Sequence, residues 1–473
     1  VASFDVVVVG GGPAGMACAS TAHSYGLSVL LIDERPALGG QIFKRISKEF
    51  VPVNTHALGW EYRYGQQLIT SVLQSGVQVM LNASVLSYED NLLVVAVNEA
   101  IHKINARSLV VAAGAFDRPV MFPGWTLAGV YTAGGLQSLV KIQGVSPGDR
   151  IFFAGSGPVV WSFASQLAKF GVNLVKVIDA GPKISADHIR RLLENLTGNW
   201  KTAFDAARYF LRLKLSRIPL EHRKIVVAAK GKELVESVVY ASVDDEWNVI
   251  PGTEKEEQAD VLCIGYGFCP STELLQLAGC MFSYQEDLGG PIVLRDEWMR
   301  TTAPYVYAVG DCAGVRGALA ALEEGTIAGI ALALDHGRIS LLQAKRLSES
   351  HRKKLHKIAQ FQQSLYDVFH VNKNLYKLAT DETIICRCEE VQLSEIKRAL
   401  EFTRDLSSIK GITRAGMGYC QGRYCSRFLQ MYLGAGNGSI DDFSFITPRP
   451  PLRPTPIRAL ADDSIEDPGK FVL

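Results

Sequence analysis

Four of the nine cysteines stand together: Cys386-Arg-Cys388, then 31 residues, then Cys420-Gln-Gly-Arg-Tyr-Cys425. A C-x-C pair and a C-x4-C pair offer four thiolates to one centre, and soft thiolates select zinc or iron–sulfur. Gly416, Gly418 and Gly422 flank the second pair. Glycines there allow tight turns and bring backbone N–H groups to sulfur, which stabilises a negatively charged cluster. Zinc is the competing metal, although its paired cysteines are more usually C-x2-C. Cys18, Cys263, Cys269, Cys280 and Cys312 show neither C-x2-C nor C-x4-C pairing and read as small apolar residues. The nine histidines are scattered and join no Ser/Asp or metal-spaced pattern, so none is a catalytic candidate.

The second chemistry is phosphate binding. Gly10-Gly-Gly12-Pro13-Ala14-Gly15 matches G-x-G-x-x-G between a strand and a helix. Gly10 permits the tight turn, Gly12 lets the backbone approach a pyrophosphate, and Gly15 lets helix and strand pack closely. The helix N-terminus offers its N–H groups to the anion. Glu34 follows 19 residues after Gly15, where a carboxylate accepts hydrogen bonds from a ribose diol, with Arg35 beside it. Asp33 faces elsewhere if alternation holds through Leu31 and Ile32. A second turn, Gly155-Ser-Gly157-Pro-Val-Val160, has Val160 in place of the third glycine and Asp179 at the end of its second strand. An acid there disfavours a 2′-phosphate and so NADP. Two readings stay open: a site for NAD or an adenine nucleotide, or a retained fold with an altered site.

These residues need elements to hold them. Phe4–Val9, Pro13–Tyr25 and Ser28–Ile32 read as strand, helix, strand, and Arg150–Ala154, Val159–Phe170 and Leu174–Ile178 repeat the unit. Irregular and helical sequence follows (Ile189–Asn195, Trp200–Leu213), then β-rich sequence from Lys224 to Tyr266. Tyr305–Val309 predicts a buried strand ending in Gly310-Asp311, and Gly317–His336 a helix. Ser340–Ala379 predicts a helical connector. The tail is broken by Pro448, Pro450, Pro451, Pro454 and Pro456, so it forms an extended arm or stays disordered. An extended arm of fixed prolines suits docking on a partner.

Composition closes off other classes. Of 473 residues 48% are apolar and 21% charged, with net charge +1, so nothing points to nucleic acid or an anionic membrane. No uninterrupted apolar run approaches the ~18 residues of a membrane span. The N-terminal sequence lacks the features of a signal peptide, and the cysteines do not form a secreted disulfide pattern, so cytoplasmic residence is expected.

Leu38-Gly-Gly40-Gln41 and Thr301-Thr-Ala-Pro-Tyr-Val-Tyr-Ala-Val-Gly310-Asp311 make the chain similar to the two-dinucleotide-binding flavoprotein superfamily. That resemblance implies an α/β fold of two nested Rossmann-like domains with FAD on the first. It implies a ribityl contact at Asp311 with Gly310 allowing the approach, an adenine contact at Val85, and a turn at Ala113-Gly114. The segment from Ile384-Ile-Cys386 to Cys425 resembles the bacterioferritin-associated-ferredoxin (BFD) type of [2Fe–2S] domain. The resulting domains are 1–118 with 285–340 (FAD), 119–284 (inserted, nucleotide-type), 341–380 (helical connector), 381–435 ([2Fe–2S]) and 436–473 (extended tail).

With Ala128-Gly-Val-Tyr-Thr-Ala-Gly134-Gly135, nearly the whole chain resembles the α (or A) subunits of bacterial multi-subunit flavoprotein dehydrogenases. That group includes opine oxidases, D-hydroxyproline and L-proline dehydrogenases, and the FAD subunit of hydrogen cyanide synthase. The resemblance implies an oxidoreductase subunit that relays electrons from a D-amino-acid-oxidase-like flavoprotein β subunit, with a small ferredoxin-like [2Fe–2S] γ subunit in some complexes. Some members carry FMN at a subunit interface, or ATP or NAD in the second Rossmann-like domain. The residues agree on one point: no acid–base set for amine oxidation is found. The alternative is a stand-alone NADH-dependent FAD/[2Fe–2S] reductase.

Overall fold

The computed structural model describes residues 1–44, 59–98, 100–194, 218–437 and 445–461. The expected helix Trp200–Leu213 and the last residues of the tail lie outside the described residues. The first sheet is built on β1 (Ala2–Val9), whose Val6, Val7 and Val8 are wholly buried. A continuous apolar run of this kind suits a strand covered on both faces. β1 pairs in parallel with β2 (Val29–Ile32), which pairs with β3 (Gln78–Met80). Beyond them, β4 (Ala83–Glu89) and β5 (Leu92–Val97) form a hairpin. β6 (Ala100–Val111) lies beside β1, giving the order β3-β2-β1-β6-β5-β4.

The first half of β6 pairs with β5, and its last residues pair in parallel with Val306–Ala308. A strand almost 200 positions later thus completes the first sheet. Helix α1 (Pro13–Ser24) buries small residues: Ala14, Gly15, Ala17, Ala19 and Ala22. They let it lie against the helix Gly317–Asp335 almost backbone to backbone. A Cβ on Gly325 would stand 2.1 Å from the Ala14 carbonyl oxygen, so this crossing requires glycine. Gly317–Asp335 is long and apolar enough to cross a membrane by length and composition, but 61% of its apolar window is buried inside the protein.

The inserted sheet is parallel throughout, in the order Leu220–His222, Leu174–Asp179, Ile151–Gly155, Val261–Gly265, Val130–Thr132. The chain enters and leaves through a two-stranded ribbon, Ala115–Asp117 against Phe268–Pro270. Strands Lys224–Lys230, Ser237–Ser242 and Lys255–Gln258 form a separate antiparallel sheet. The expected α/β fold with nested dinucleotide-type sheets is therefore present.

The connector is one long helix, Leu341–Phe369, started by a capping box of Ser340 and Gln343. A 3-10 turn, Lys373–Leu378, follows it. The cysteine segment has two short strands (Ile384–Cys386, Val391–Gln392) and three helices (Leu393–Leu400, Leu406–Thr413, Cys425–Asn437). It is no appendage. Ile385, Ile396 and Phe428 share one apolar core with Phe122, Tyr240 and Tyr266 of the inserted region. Each such side chain contributes about 1.5–3 kcal/mol when fully buried. Trp125 Nε1 donates to the Ile384 carbonyl at 2.6 Å, and buried Arg427 Nη2 donates to the Pro270 carbonyl and Thr272 Oγ1.

The arm departs from expectation in two ways. Residues 445–456 form neither helix nor strand, but Ile457–Ala461, directly after Pro456, forms a short helix. Proline suits a helix start, where its missing N–H costs nothing. The described arm also lies on its own first sheet, through Leu452 and Arg453, rather than standing free for a partner.

Candidate dinucleotide and iron–sulfur sites

The first glycine turn is open where a phosphate would enter. Gly10 has φ +114, and a Cβ there would strike the Ala112 carbonyl oxygen at 2.2 Å. A Cβ on Gly15 would stand 1.9 Å from the Gly10 carbonyl oxygen, so strand and helix touch through glycine. Gly12 differs: its Cβ would meet nothing nearer than Gly40 Cα at 3.8 Å. No side chain caps α1, whose first turn starts at Pro13 and Ala14. These are the features of a helix N-terminus that takes an anion.

Asp33 and Glu34 divide the work. Asp33 is buried and accepts the N–H groups of Gly11 (2.6 Å) and Arg35 (2.8 Å), fixing the loop. Glu34 is half exposed at the rim, where Arg453 Nε reaches its Oε2 at 3.3 Å. Arg35 Nη1 donates to the Gly40 carbonyl, Gly39 N–H donates to the Gly11 carbonyl, and Gln41 follows on the surface. Val85 is buried on β4, Ala113 is exposed, and Gly114 has φ +71.

The late turn faces the same space. The Gly310 N–H donates to Glu324 Oε2 at 2.8 Å, and a Cβ on Gly310 would meet Ala14 Cβ at 2.9 Å. Asp311 Oδ1 accepts the N–H groups of Arg316 and Gly317. Burial raises the Asp311 carboxyl, and those two N–H groups oppose the rise.

The second turn has the same local form and different surroundings. Asp179 is wholly buried. It accepts from the N–H groups of Gly157 (3.1 Å) and Gly181 (2.8 Å) and from Trp161 Nε1 (3.1 Å). Register explains why. Val9 pairs with Ile32 and Ala154 with Ile178, so Asp179 corresponds to Asp33, and buried Ala180 takes the place of Glu34. The expectation that Asp179 faces a ribose is corrected: the second strand runs one residue longer than the glycine spacing implies. A Cβ on Gly157 would stand 2.9 Å from Phe369 Cβ, and the Phe369 ring packs edge-on to Trp161 at 5.3 Å. A Cβ on Gly155 would meet the Gly265 carbonyl oxygen at 2.1 Å and Val160 Cγ2 at 2.7 Å.

The four cysteines converge as two pairs. Cys386 and Cys425 hydrogen-bond each other, and Cys388 pairs with Cys420. The Gly416 N–H donates to Cys386 Sγ at 3.4 Å, and a Cβ on Gly418 would fall 2.3 Å from Cys388 Cβ. The Cys425 thiol and the Gly416 N–H bring the Cys386 thiol down to about 6. Two thiol pairs with N–H donors suit a two-iron cluster, in which each iron takes two thiolates. Among the described residues no three ligand side chains surround a single metal ion.

A family profile described as pyridine nucleotide-disulphide oxidoreductase matches residues 4–203 and 211–337. The chain belongs to the pyridine nucleotide-disulphide oxidoreductase family. A BFD-like [2Fe-2S] binding domain profile matches residues 384–435. This oxidoreductase therefore carries an FAD-binding domain and a [2Fe–2S]-binding domain in one chain. It is 33% identical over 461 residues to the hydrogen cyanide synthase component HcnB of Pseudomonas aeruginosa, covering 96% of this chain and 97% of that one. It is 30% identical to the A subunit of opine oxidase from Agrobacterium tumefaciens, covering 97% and 91%. The fold matches the crystal structure of L-proline dehydrogenase from P. horikoshii with TM-score 0.69 and 20% identity, over 97% of this chain and 80% of that one.

In this family member several polar residues near the turns carried no motif. Glu324 is buried against Arg295 (2.6 Å) and Arg316 (3.2 Å). Burial raises its carboxyl, but the two arginines and the Gly310 N–H outweigh this and hold it below the ordinary range. Lys44 donates to Ser138 Oγ at 2.5 Å, with Asp117 and Lys141 near it. Burial, with Arg35 beside it, pushes the Lys44 amine down to about 8. Asp117 Oδ1 accepts the Gly134 N–H at 3.1 Å. Asp117 follows Phe116, which meets the Tyr424 ring at 5.9 Å beside Cys425, so the ribbon after Gly114 abuts the cysteine segment.

Proposed function

We propose that this chain is the FAD and [2Fe–2S] electron-relaying subunit of a heteromeric amine dehydrogenase. The observation that carries the reading is near-full-length similarity to proteins that are themselves subunits, of hydrogen cyanide synthase and of opine oxidase. In this reading Gly10, Gly12, Pro13, Ala14, Gly15, Glu34, Arg35, Gly40, Gln41, Val85, Ala113, Gly114, Gly310 and Asp311 hold FAD. Cys386, Cys388, Cys420 and Cys425 hold the cluster.

FAD accepts electron pairs and the cluster passes electrons singly. The chain's own contribution is placement. The α1 N-terminus takes the pyrophosphate, Asp33 holds the loop around it, and the Arg295–Glu324 pair fixes the Gly310 turn. Arg427, Trp125 and the shared core fix the cysteine segment against the ribbon, so relay needs no swinging domain. The partner is a D-amino-acid-oxidase-like flavoprotein, the substrate an opine, hydroxyproline, proline or glycine, and the compartment the cytoplasm. None of the nine cysteines is joined in a disulfide, which accords with a reducing compartment.

Asp179 and Phe369 count against the alternative reductase. The test is to purify the chain alone and assay amine-dependent dye reduction and NADH oxidation in parallel. Cofactor-replete protein should turn over neither, and adding the oxidase-like partner should restore dye reduction. Amine turnover by the isolated chain would sink the relay, and NADH turnover would promote the reductase.

A further inference from the structure

The arm meets the first sheet at an irregularity. In β4, Val85 pairs with Val95 and Ser87 with Val94, so Leu86 is bulged out of the ladder. Its carbonyl accepts the Leu452 N–H at 2.9 Å. The Leu452 side chain, 8% exposed, joins the apolar core that contains Val85. One residue on, Arg453 Nε donates to Glu34 Oε2. Arg453 Nη1 donates to the Leu452 carbonyl, and Thr455 Oγ1 donates to the Arg453 carbonyl, so the guanidinium is held in place. Ala459, in the short helix that follows, is buried. The arm therefore bonds the ribose acid Glu34 and the residue next to the adenine contact Val85, whose core it shares.

We propose that the arm is a wall of the FAD site and that Arg453 is a positioning residue for Glu34. This rests on the reading that the Gly10–Gly15 turn and Glu34 bind FAD. Arg453 engages one carboxylate oxygen and leaves Oε1 for the ribose hydroxyls. Buried Leu452 anchors the arm on the sheet next to that ion pair. The prolines have restricted φ and little entropy to lose, so the arm stays closed at small cost. The ADP half leaves only when the arm lifts.

The test is the rate of FAD release, read as free flavin fluorescence after dilution. It compares the full chain, a chain ending at Thr447, and Arg453→Ala. Removing the Leu452 anchor and the ion pair together should speed release by roughly tenfold or more. Arg453→Ala alone should speed it by about two- to fivefold, the range of a part-exposed ion pair, and Arg453→Lys should restore most of that. Melting temperatures of apo and FAD-loaded forms separate this role from a merely structural one. The proposal expects the loaded form to lose more than the apo form. Unchanged release in both variants, or equal losses in apo and loaded forms, overturns the proposal while the FAD reading stands. Unchanged release with weakened association to the oxidase-like partner replaces it with a docking arm. A full-length chain that takes up no FAD overturns the underlying reading instead.

Discussion

The two glycine turns share a spacing, a proline at the helix start and a parallel strand pair, yet their surroundings are opposite. Gly12 looks into space bordered by Gly40, whereas Gly157 looks at Phe369 from the end of the connector helix. Each unit buries an acid at the end of its second strand, Asp33 and Asp179, but the next residue is half-exposed Glu34 in the first and buried Ala180 in the second. A dinucleotide turn is thus a local backbone form, and what it accepts is decided by residues far away in the chain.

The sharpest way to break this comparison is to place the same side chain in each turn. Gly12→Val should lower FAD content by roughly tenfold or more, because it fills the approach to the pyrophosphate. Gly157→Val should leave FAD at the wild-type ratio and instead destabilise the fold by about 1–3 kcal/mol, since φ +68 is strained for valine. Flavin absorbance after gel filtration and a denaturant titration read both outcomes. Equal FAD loss in the two variants would erase the distinction.

The buried pair behind the late turn comes next. Glu324→Gln leaves Arg295 buried without its counter-charge and should cost about 3–5 kcal/mol. The wild-type carboxyl is held below its ordinary range, so its contribution is complete above about pH 4.5 and is lost as pH falls through the lower folded value. The stability gap between wild type and variant should therefore be full above about pH 4.5 and narrow as pH falls below it, measured by denaturant titrations followed by circular dichroism between pH 3 and 6.

A last variant sharpens the second turn. Phe369→Ala should cost about 3 kcal/mol in denaturant midpoints, as for a large aromatic truncated in a core. With the ring removed NADH should still bind weakly at best, because Ala180 offers no carboxylate where the first unit has Glu34. Flavin reduction by NADH in wild type would show that Phe369 does not close the site.

Much of this was legible locally. Apolar runs and glycine spacing gave both strand–helix–strand units within a residue or two of Ala2–Val9, Pro13–Ser24, Ile151–Gly155 and Pro158–Lys169. Cysteine spacing pointed to one four-thiol segment. The pairing of Cys386 with Cys425 was not legible, nor was Phe369 on Gly157 or Arg453 on Glu34. Those partners are set by packing across the chain and leave no periodic trace. Asp179 misled for a different reason. A single added residue between paired strands moves an acid from the rim to the interior, and glycine spacing carries no signal of it.

The core that the cysteine segment shares with the inserted region bears on how the protein is made and lost. Cys386 and Cys425 belong to the same packed unit as Phe122, Tyr240 and Tyr266. Whatever the cluster adds in binding free energy is added to the cohesion of that unit as well. A chain that has not received iron is then weakened far from its sulfurs and stands closer to local opening and proteolysis. Limited proteolysis of iron-free and iron-loaded protein should then differ at sites in the inserted region as well as around the cysteines.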